Sequence, residues 1–191
     1  PQHRVDFCEA LRPDIYFKRT TLLPPHPCAD MLGWPKCPVR PLPFSSVWDV
    51  PWTPWRDRQV DVFCIFGMTQ WMRQKCKETA EDVVARFPGR TILAALGHAL
   101  RYPEYLQTLA RSKIGIDQQS YGTDTVRFWE ASSCGALVIS DFSLAGGLQP
   151  GAEFLRYDND LSLVGDQQNF SLLASHLEHA LADDGETERI A

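Results

Sequence analysis

From Arg58 onward the apolar residues of this chain switch repeatedly between two periods, which leaves few folds open. VDVFCIFG (60–67) is almost continuously apolar and ends in glycine, the pattern of a strand covered on both faces. In TQWMRQKCKETAEDVVARF (69–87), Met72, Cys76, Ala80, Val83, Val84 and Phe87 recur at helical spacing. Thr69 reads as the N-cap of this helix, and Pro88-Gly89 stops it. TILAAL (91–96) reads as a second strand, and YPEYLQTLAR (102–111) as a helix with Pro103 in its first turn. KIGID (113–117) is a third strand, followed by a helix beginning near Thr125. GALVIS (135–140) and EFLRY (153–157) extend the series, and NFSLLASHLEHALAD (169–183) closes it with Leu173, Leu177 and Leu181 four apart. Strands and helices in alternation with short loops demand crossover connections and a parallel sheet. The predicted class is α/β, a Rossmann-like doubly wound parallel sheet.

The first part of the chain has another texture. Eleven of the fourteen prolines lie in residues 1–55, a density that forbids long helices and central strands. VDFCEALRPDIYFKRT (5–20) reads as a short helix, a Pro13-Asp14 break and one strand, and residues 23–44 as a proline-stiffened connector. The expected division is a proline-rich N-terminal arm, 1–57, and the Rossmann-like domain, 58–191. A start at Pro1 rather than Met suggests a fragment of a longer chain.

A net charge of −5 argues against nucleic-acid binding, which favours a basic excess. Charged residues interrupt every apolar run before it reaches the roughly 20 residues a transmembrane helix needs. No signal peptide is visible, and the six cysteines form no C-x-x-C pair, so reduced thiols and a cytoplasmic location are expected. Cys8, His26, Cys28 and Cys37 are ligand-type residues, but their spacing matches no familiar zinc pattern.

Ligands on doubly wound sheets bind beyond the carboxyl ends of the strands, so chemistry is sought in the loops there. YGTDTVRFWEASSCGALVIS (121–140) holds the richest of them. A helix N-terminus with unpaired N–H groups suits an anion; Gly122 permits close approach, Thr123 and Thr125 offer hydroxyls, and Arg127 offers a charged fork. Glu130, one turn further in, has the reach to accept two vicinal ribose hydroxyls. The plainer alternative is that Asp124 caps the helix and Glu130 pairs with Arg127 at i,i+3. His98, with Arg101 and Tyr102 nearby, either meets a nucleobase or is a capping or solvated histidine. Trp48, Trp52 and Trp55 either stack on a sugar or pack the arm onto the domain. Gly146-Gly147 and Glu153 lie at the same predicted sheet edge, and Asp158-Asn159-Asp160 reads as a turn more readily than as a metal site.

SKIGIDQQSYGTDTVRFWEASSCGALVISD, followed by GGLQPGAEFLRYDND, resembles the donor-binding half of GT-B glycosyltransferases, most of all the group-1, spore-maturation-protein-like branch. The resemblance spans roughly residues 58–191 and is most specific over 110–157. It implies that Glu130 of the E-A-x-x-C-G block holds the nucleotide ribose. The diphosphate falls to Gly122, Thr123, Asp124 and Thr125, and a Gly followed by basic residues after the first strand falls on Gly67, Arg73 and Lys75, with Arg73 the best match. Many retaining members carry a second glutamate eight positions earlier, where this chain has Gly122; Asp124 is the nearest substitute. VRPLPFSS (39–46) resembles the interdomain linker of that branch. The implied substrate is a UDP-, GDP- or ADP-linked sugar, with no metal and no other cofactor, and an acceptor-binding domain or subunit as partner. A catalytically silent nucleotide-sugar module and a structural or interaction domain are the competing readings.

Overall fold

The computed structural model describes residues 50–67, 71–97, 99–118, 125–141, 154–157 and 170–191, together with the backbone of 16–18 and 39–41. In the arm, β1 (Tyr16–Lys18) pairs in parallel with β2 (Val39–Pro41). β1 falls inside the expected strand. β2 lies in the stretch read as connector; a two-stranded ladder has only edges, so Pro41 can end it without leaving a central bond unmade.

The main sheet contains β3 (Val60–Phe66), β4 (Ile92–Leu96), β5 (Ser112–Asp117), β6 (Leu137–Ser140) and β7 (Leu155–Arg156). All four ladders are parallel and the order is β4-β3-β5-β6-β7, the Rossmann-like arrangement the alternation demands. The helices are α1 (Trp71–Val84), α2 (Tyr102–Ala110), α3 (Val126–Ser133), α4 (Ser171–Ala182) and α5 (Asp184–Ile190). The chain winds outward from β3 to β4, then crosses back over to β5. Connections therefore diverge between the carboxyl ends of β3 and β5, opening a crevice there.

Alternating strand residues feed two cores. Val62, Cys64 and Phe66 face Cys76, Ala80 and Val83 of α1 and Leu173, Leu177 and Leu181 of α4. Phe63 and Ile65 face Leu109 of α2 and Phe128 and Ala131 of α3. Both sheet faces are thus covered, which explains the near-continuous apolar texture of β3. Truncating a fully buried side chain such as Phe63 to Ala should cost about 3–5 kcal/mol.

Two glycines fix how α3 sits. A Cβ on Gly115 would lie 3.0 Å from the Ala131 Cβ, so α3 can approach β5 this closely only over a glycine. Gly135 follows the helix with φ +69°, a left-handed terminus, and an added Cβ would meet Arg58 Nη2 at 3.0 Å. Arg58 itself is buried and donates to the carbonyls of Ser112 (2.7 Å) and Cys134 (2.9 Å), tying together the amino ends of β5 and β6.

The amino edge of the sheet also carries a closed ionic cluster. Asp61 accepts from Arg90 (3.0 Å), Lys113 (3.2 Å) and the Thr91 N–H (2.8 Å). Asp184, at the start of α5, meets the same Arg90 (3.1 Å) and Lys113 (3.3 Å). Among the described residues no helix is long and apolar enough to cross a membrane.

Candidate functional site

At the carboxyl edge, β5 and β6 end in polar residues that are buried. Asp117 ends β5 and is fully buried. Its Oδ1 accepts from the Thr125 hydroxyl at 2.7 Å and its Oδ2 from the Ser140 hydroxyl at 2.9 Å. Gln118 donates its amide to Asp141, just past β6. The Tyr157 hydroxyl, after β7, lies 2.8 Å from Gln118 Oε1 and 3.2 Å from the Asp117 carbonyl. Burial pushes the Tyr157 phenol well above its usual range, so it stays a donor. These bonds lace β5, β6 and β7 together beneath the crevice.

Two arginines stand above this layer. Arg73, in the first turn of α1, is buried, donates Nη1 to the Gly67 carbonyl at 2.8 Å and lies 5.7 Å from the Phe66 ring centre. Arg127, in the first turn of α3, lies 4.9 Å from the same ring. Its nearest carboxylate is Asp117, at 3.9 Å, and its Nε is buried without a hydrogen-bond partner among the described residues. Burial depresses the Arg73 guanidinium below its usual range, and the neighbouring Arg127 charge depresses it further. Two guanidiniums are therefore gathered on one aromatic ring at the switch point, with the carboxylates of Asp117 and Asp141 acting on Arg73 in the opposite direction.

Glu130 sits one turn deeper in α3 and is 5% exposed. Its Oε1 accepts from the Tyr102 hydroxyl at 2.8 Å. Among the described residues no ion pair joins Glu130 to Arg127, so the i,i+3 pairing considered above does not occur; Arg127 turns toward Asp117 instead. Thr125, expected as a hydroxyl for the ligand, is committed inward: it caps α3 by accepting from the Phe128 N–H at 3.3 Å while donating to Asp117. The predicted cap at Asp124 lies outside the described residues.

The structure brings Gly67, Arg73, Thr125, Arg127 and Glu130 to this one edge. Lys75 is exposed and paired with Glu78 at 3.2 Å. Trp55 lies under Arg58, 5.4 Å from its guanidinium, and with Trp52 lines a cavity of about 440 Å³ at the opposite, amino edge. Stacking of these two tryptophans on a ligand in the crevice is thereby excluded. His98, Gly122, Thr123, Asp124, Gly146, Gly147, Glu153 and the run Asp158-Asn159-Asp160 lie outside the described residues, as do Trp48, Thr69, Cys8, His26, Cys28 and Cys37. Sequence reasoning missed Asp117, Gln118, Ser140, Asp141 and Tyr157. Their signal was positional: each stands at or just after the carboxyl end of an apolar strand.

A doubly wound parallel sheet with helices on both faces defines an α/β domain of Rossmann-like class. The particular family follows from comparison: the chain belongs to the glycosyl transferase-like family, whose model matches residues 54–191. Among solved structures it is similar to a chain of one described as the crystal structure of the GtfA/B complex. That likeness has 14% sequence identity and a TM-score of 0.49, and covers 97% of this chain and 45% of the other. This chain thus spans less than half the length of that neighbour. No curated protein matches it.

Proposed function

We propose that residues 58–191 form the donor-binding half of a GT-B glycosyltransferase and hold a nucleoside-diphosphate sugar, UDP-, GDP- or ADP-linked, in the crevice between β3 and β5. The observation that carries this is the pair of guanidiniums, Arg73 and Arg127, over Phe66 at the end of β3. In transfer, the bond from the anomeric carbon to the diphosphate oxygen breaks and one to an acceptor hydroxyl oxygen forms. The leaving diphosphate gains charge, and preorganised arginines in a desolvated crevice would stabilise it without reorganisation. Gly122, Thr123, Asp124 and the N-terminus of α3 would add donors to the same phosphates, and His98 would lie toward the base. Glu130 would accept the ribose hydroxyls. The acceptor, and the group that takes its proton, would come from a separate domain or subunit, with the arm, 1–57, as the link to it.

A catalytically silent nucleotide-sugar module is the second reading. It is favoured by Gly122 at the position where many retaining relatives carry a glutamate.

Calorimetric titration of UDP, GDP, ADP and their sugars tests both. Micromolar binding of one nucleotide, lost in Glu130→Ala and weakened in Arg127→Met, is expected. Absence of binding by every nucleotide to the folded protein overturns both readings. Turnover of the bound donor in the presence of an acceptor separates them.

A further inference from the structure

We propose that Tyr102 is a positioning residue that fixes the Glu130 carboxylate for a vicinal diol, and so sets the discrimination between ribo- and 2′-deoxyribonucleoside diphosphates. This rests on the donor-binding reading above. The Tyr102 hydroxyl donates to Glu130 Oε1 at 2.8 Å, from the first residue of α2 to the second turn of α3. Aromatic packing backs Tyr102 from its own helix and from the sheet. Tyr102 stacks on Tyr105 with ring centres 6.2 Å apart and planes within 11°. Tyr105 in turn sets its edge against Phe63 of β3 at 5.3 Å. A line of rings thus runs from the core of the sheet to the carboxylate.

A glutamate has three side-chain torsions and loses considerable freedom when held in one geometry. A phenol bonded to one oxygen removes part of that freedom before any ligand arrives. No cation pairs with Glu130 among the described residues, so its charge must be met by neutral donors. An ionised carboxylate has about four acceptor positions, and Tyr102 occupies one. Two adjacent hydroxyls on a furanose ring present two donors side by side, as a carboxylate presents two acceptors; a 2′-deoxyribose presents only one. Burial and the Glu130 charge push the Tyr102 phenol up to about 12, so it remains a donor throughout the neutral range. The residue as a whole is 53% exposed, which places it at the rim of the crevice.

Tyr102→Phe tests the assignment, because it keeps the ring and its stack and removes only the hydroxyl. Affinities of the 191-residue chain for UDP, GDP and ADP are compared with those for their 2′-deoxy counterparts, with inorganic pyrophosphate as a control for the phosphate end. The wild type should prefer the best ribonucleotide over its deoxy form by about tenfold, the worth of one charge-assisted hydrogen bond. In Tyr102→Phe that ratio should fall to about two- or threefold while pyrophosphate affinity stays unchanged. An unchanged ratio in the variant, or an equal loss for pyrophosphate and nucleotide, overturns the role of Tyr102 and leaves the donor site standing. A wild type that binds nucleotides without distinguishing ribose from deoxyribose overturns the proposal alone, and one that binds no nucleoside diphosphate removes it together with its premise.

Discussion

The two edges of the main sheet are both charged, and they answer their carboxylates in different ways. At the amino edge, Asp61 and Asp184 face Arg90 and Lys113, and each of the four ion pairs closes within 3.3 Å. At the carboxyl edge, Asp117 is more deeply buried, yet its oxygens are met by the hydroxyls of Thr125 and Ser140. The nearest cation, Arg127, stands off at 3.9 Å. A carboxylate satisfied by neutral donors does not consume an arginine. The first arrangement is closed and serves the fold; the second keeps positive charge available where the strands end. The same residue types thus yield a clamp of ion pairs at one edge and a carboxylate met by hydroxyls at the other, and position in the sheet decides which.

The largest test of that contrast is Asp117→Ala. It would leave two buried hydroxyls without their acceptor and Arg127 without its nearest counter-charge. A loss of about 3 kcal/mol or more in urea unfolding is expected. A loss below about 1 kcal/mol would mean that the carboxyl edge is not held from within, and the comparison would fail.

Arg127→Met should show the opposite balance. The guanidinium leaves an ionic contact of only 3.9 Å, and the methionine can keep much of the packing on Phe66. Stability should fall by less than in Asp117→Ala, by about 1–2 kcal/mol. Affinity for pyrophosphate and for nucleoside diphosphates should fall by about 1.5–3 kcal/mol, roughly ten- to a hundredfold. If stability drops sharply and affinity holds, Arg127 belongs with the amino-edge clamp.

Much of this contrast was legible in the sequence, and the missing part has a definite cause. Periodicity placed β3 to β7 and the intervening helices because burial on both faces leaves a strong apolar signature, as in VDVFCIF. Arg127 stood out because it sits in the first turn of a helix that follows a strand, and Arg73 because of the resemblance to GT-B glycosyltransferases. Asp117 and Ser140 were not, because a single polar residue ending an apolar run looks like the start of a loop. Their partnership spans 23 positions and needs the register that sets Asp117 beside Ser140. The partner of Glu130 was missed for the same reason: Tyr102 is 28 residues away and reaches it only once α2 and α3 pack on one face. The contact at three residues, to Arg127, was the natural guess, and tertiary packing overrode it. Pairing of Val39–Pro41 with Tyr16–Lys18 was hidden by the prolines around it.

The amino-edge clamp gives a smaller effect with a pH signature. Burial alone would raise the Asp61 carboxyl, but the Thr91 N–H, Lys113 and Arg90 outweigh it and hold it below the usual carboxylate range. A depressed folded-state value means that its stabilisation is present above the unfolded value, near 4, and is lost as pH falls through the folded one. Asp61→Asn should therefore cost about 1–2 kcal/mol at neutral pH. It should also flatten the decline of stability below about pH 4, with pyrophosphate binding untouched. An unaltered acid limb in the variant would transfer that decline to other carboxylates.

Gly67→Ala is the mildest change and bears most directly on where the two edges part company. Gly67 follows β3, and its carbonyl receives Arg73. An added Cβ would find Arg73 Nη1 at 3.6 Å, an ordinary contact, and would meet nothing else within 4 Å among the described residues. The fold should therefore tolerate the methyl group to within about 0.5 kcal/mol. A diphosphate lying against the backbone at this point would not, because the methyl would occupy the space between the peptide and the phosphate oxygens. The expected result is an unchanged melting curve with a several-fold loss of pyrophosphate affinity. Unchanged affinity would move the anion away from β3 and toward the N-terminus of α3, leaving Arg127 as its principal charge and Arg73 as a clasp on the end of the strand.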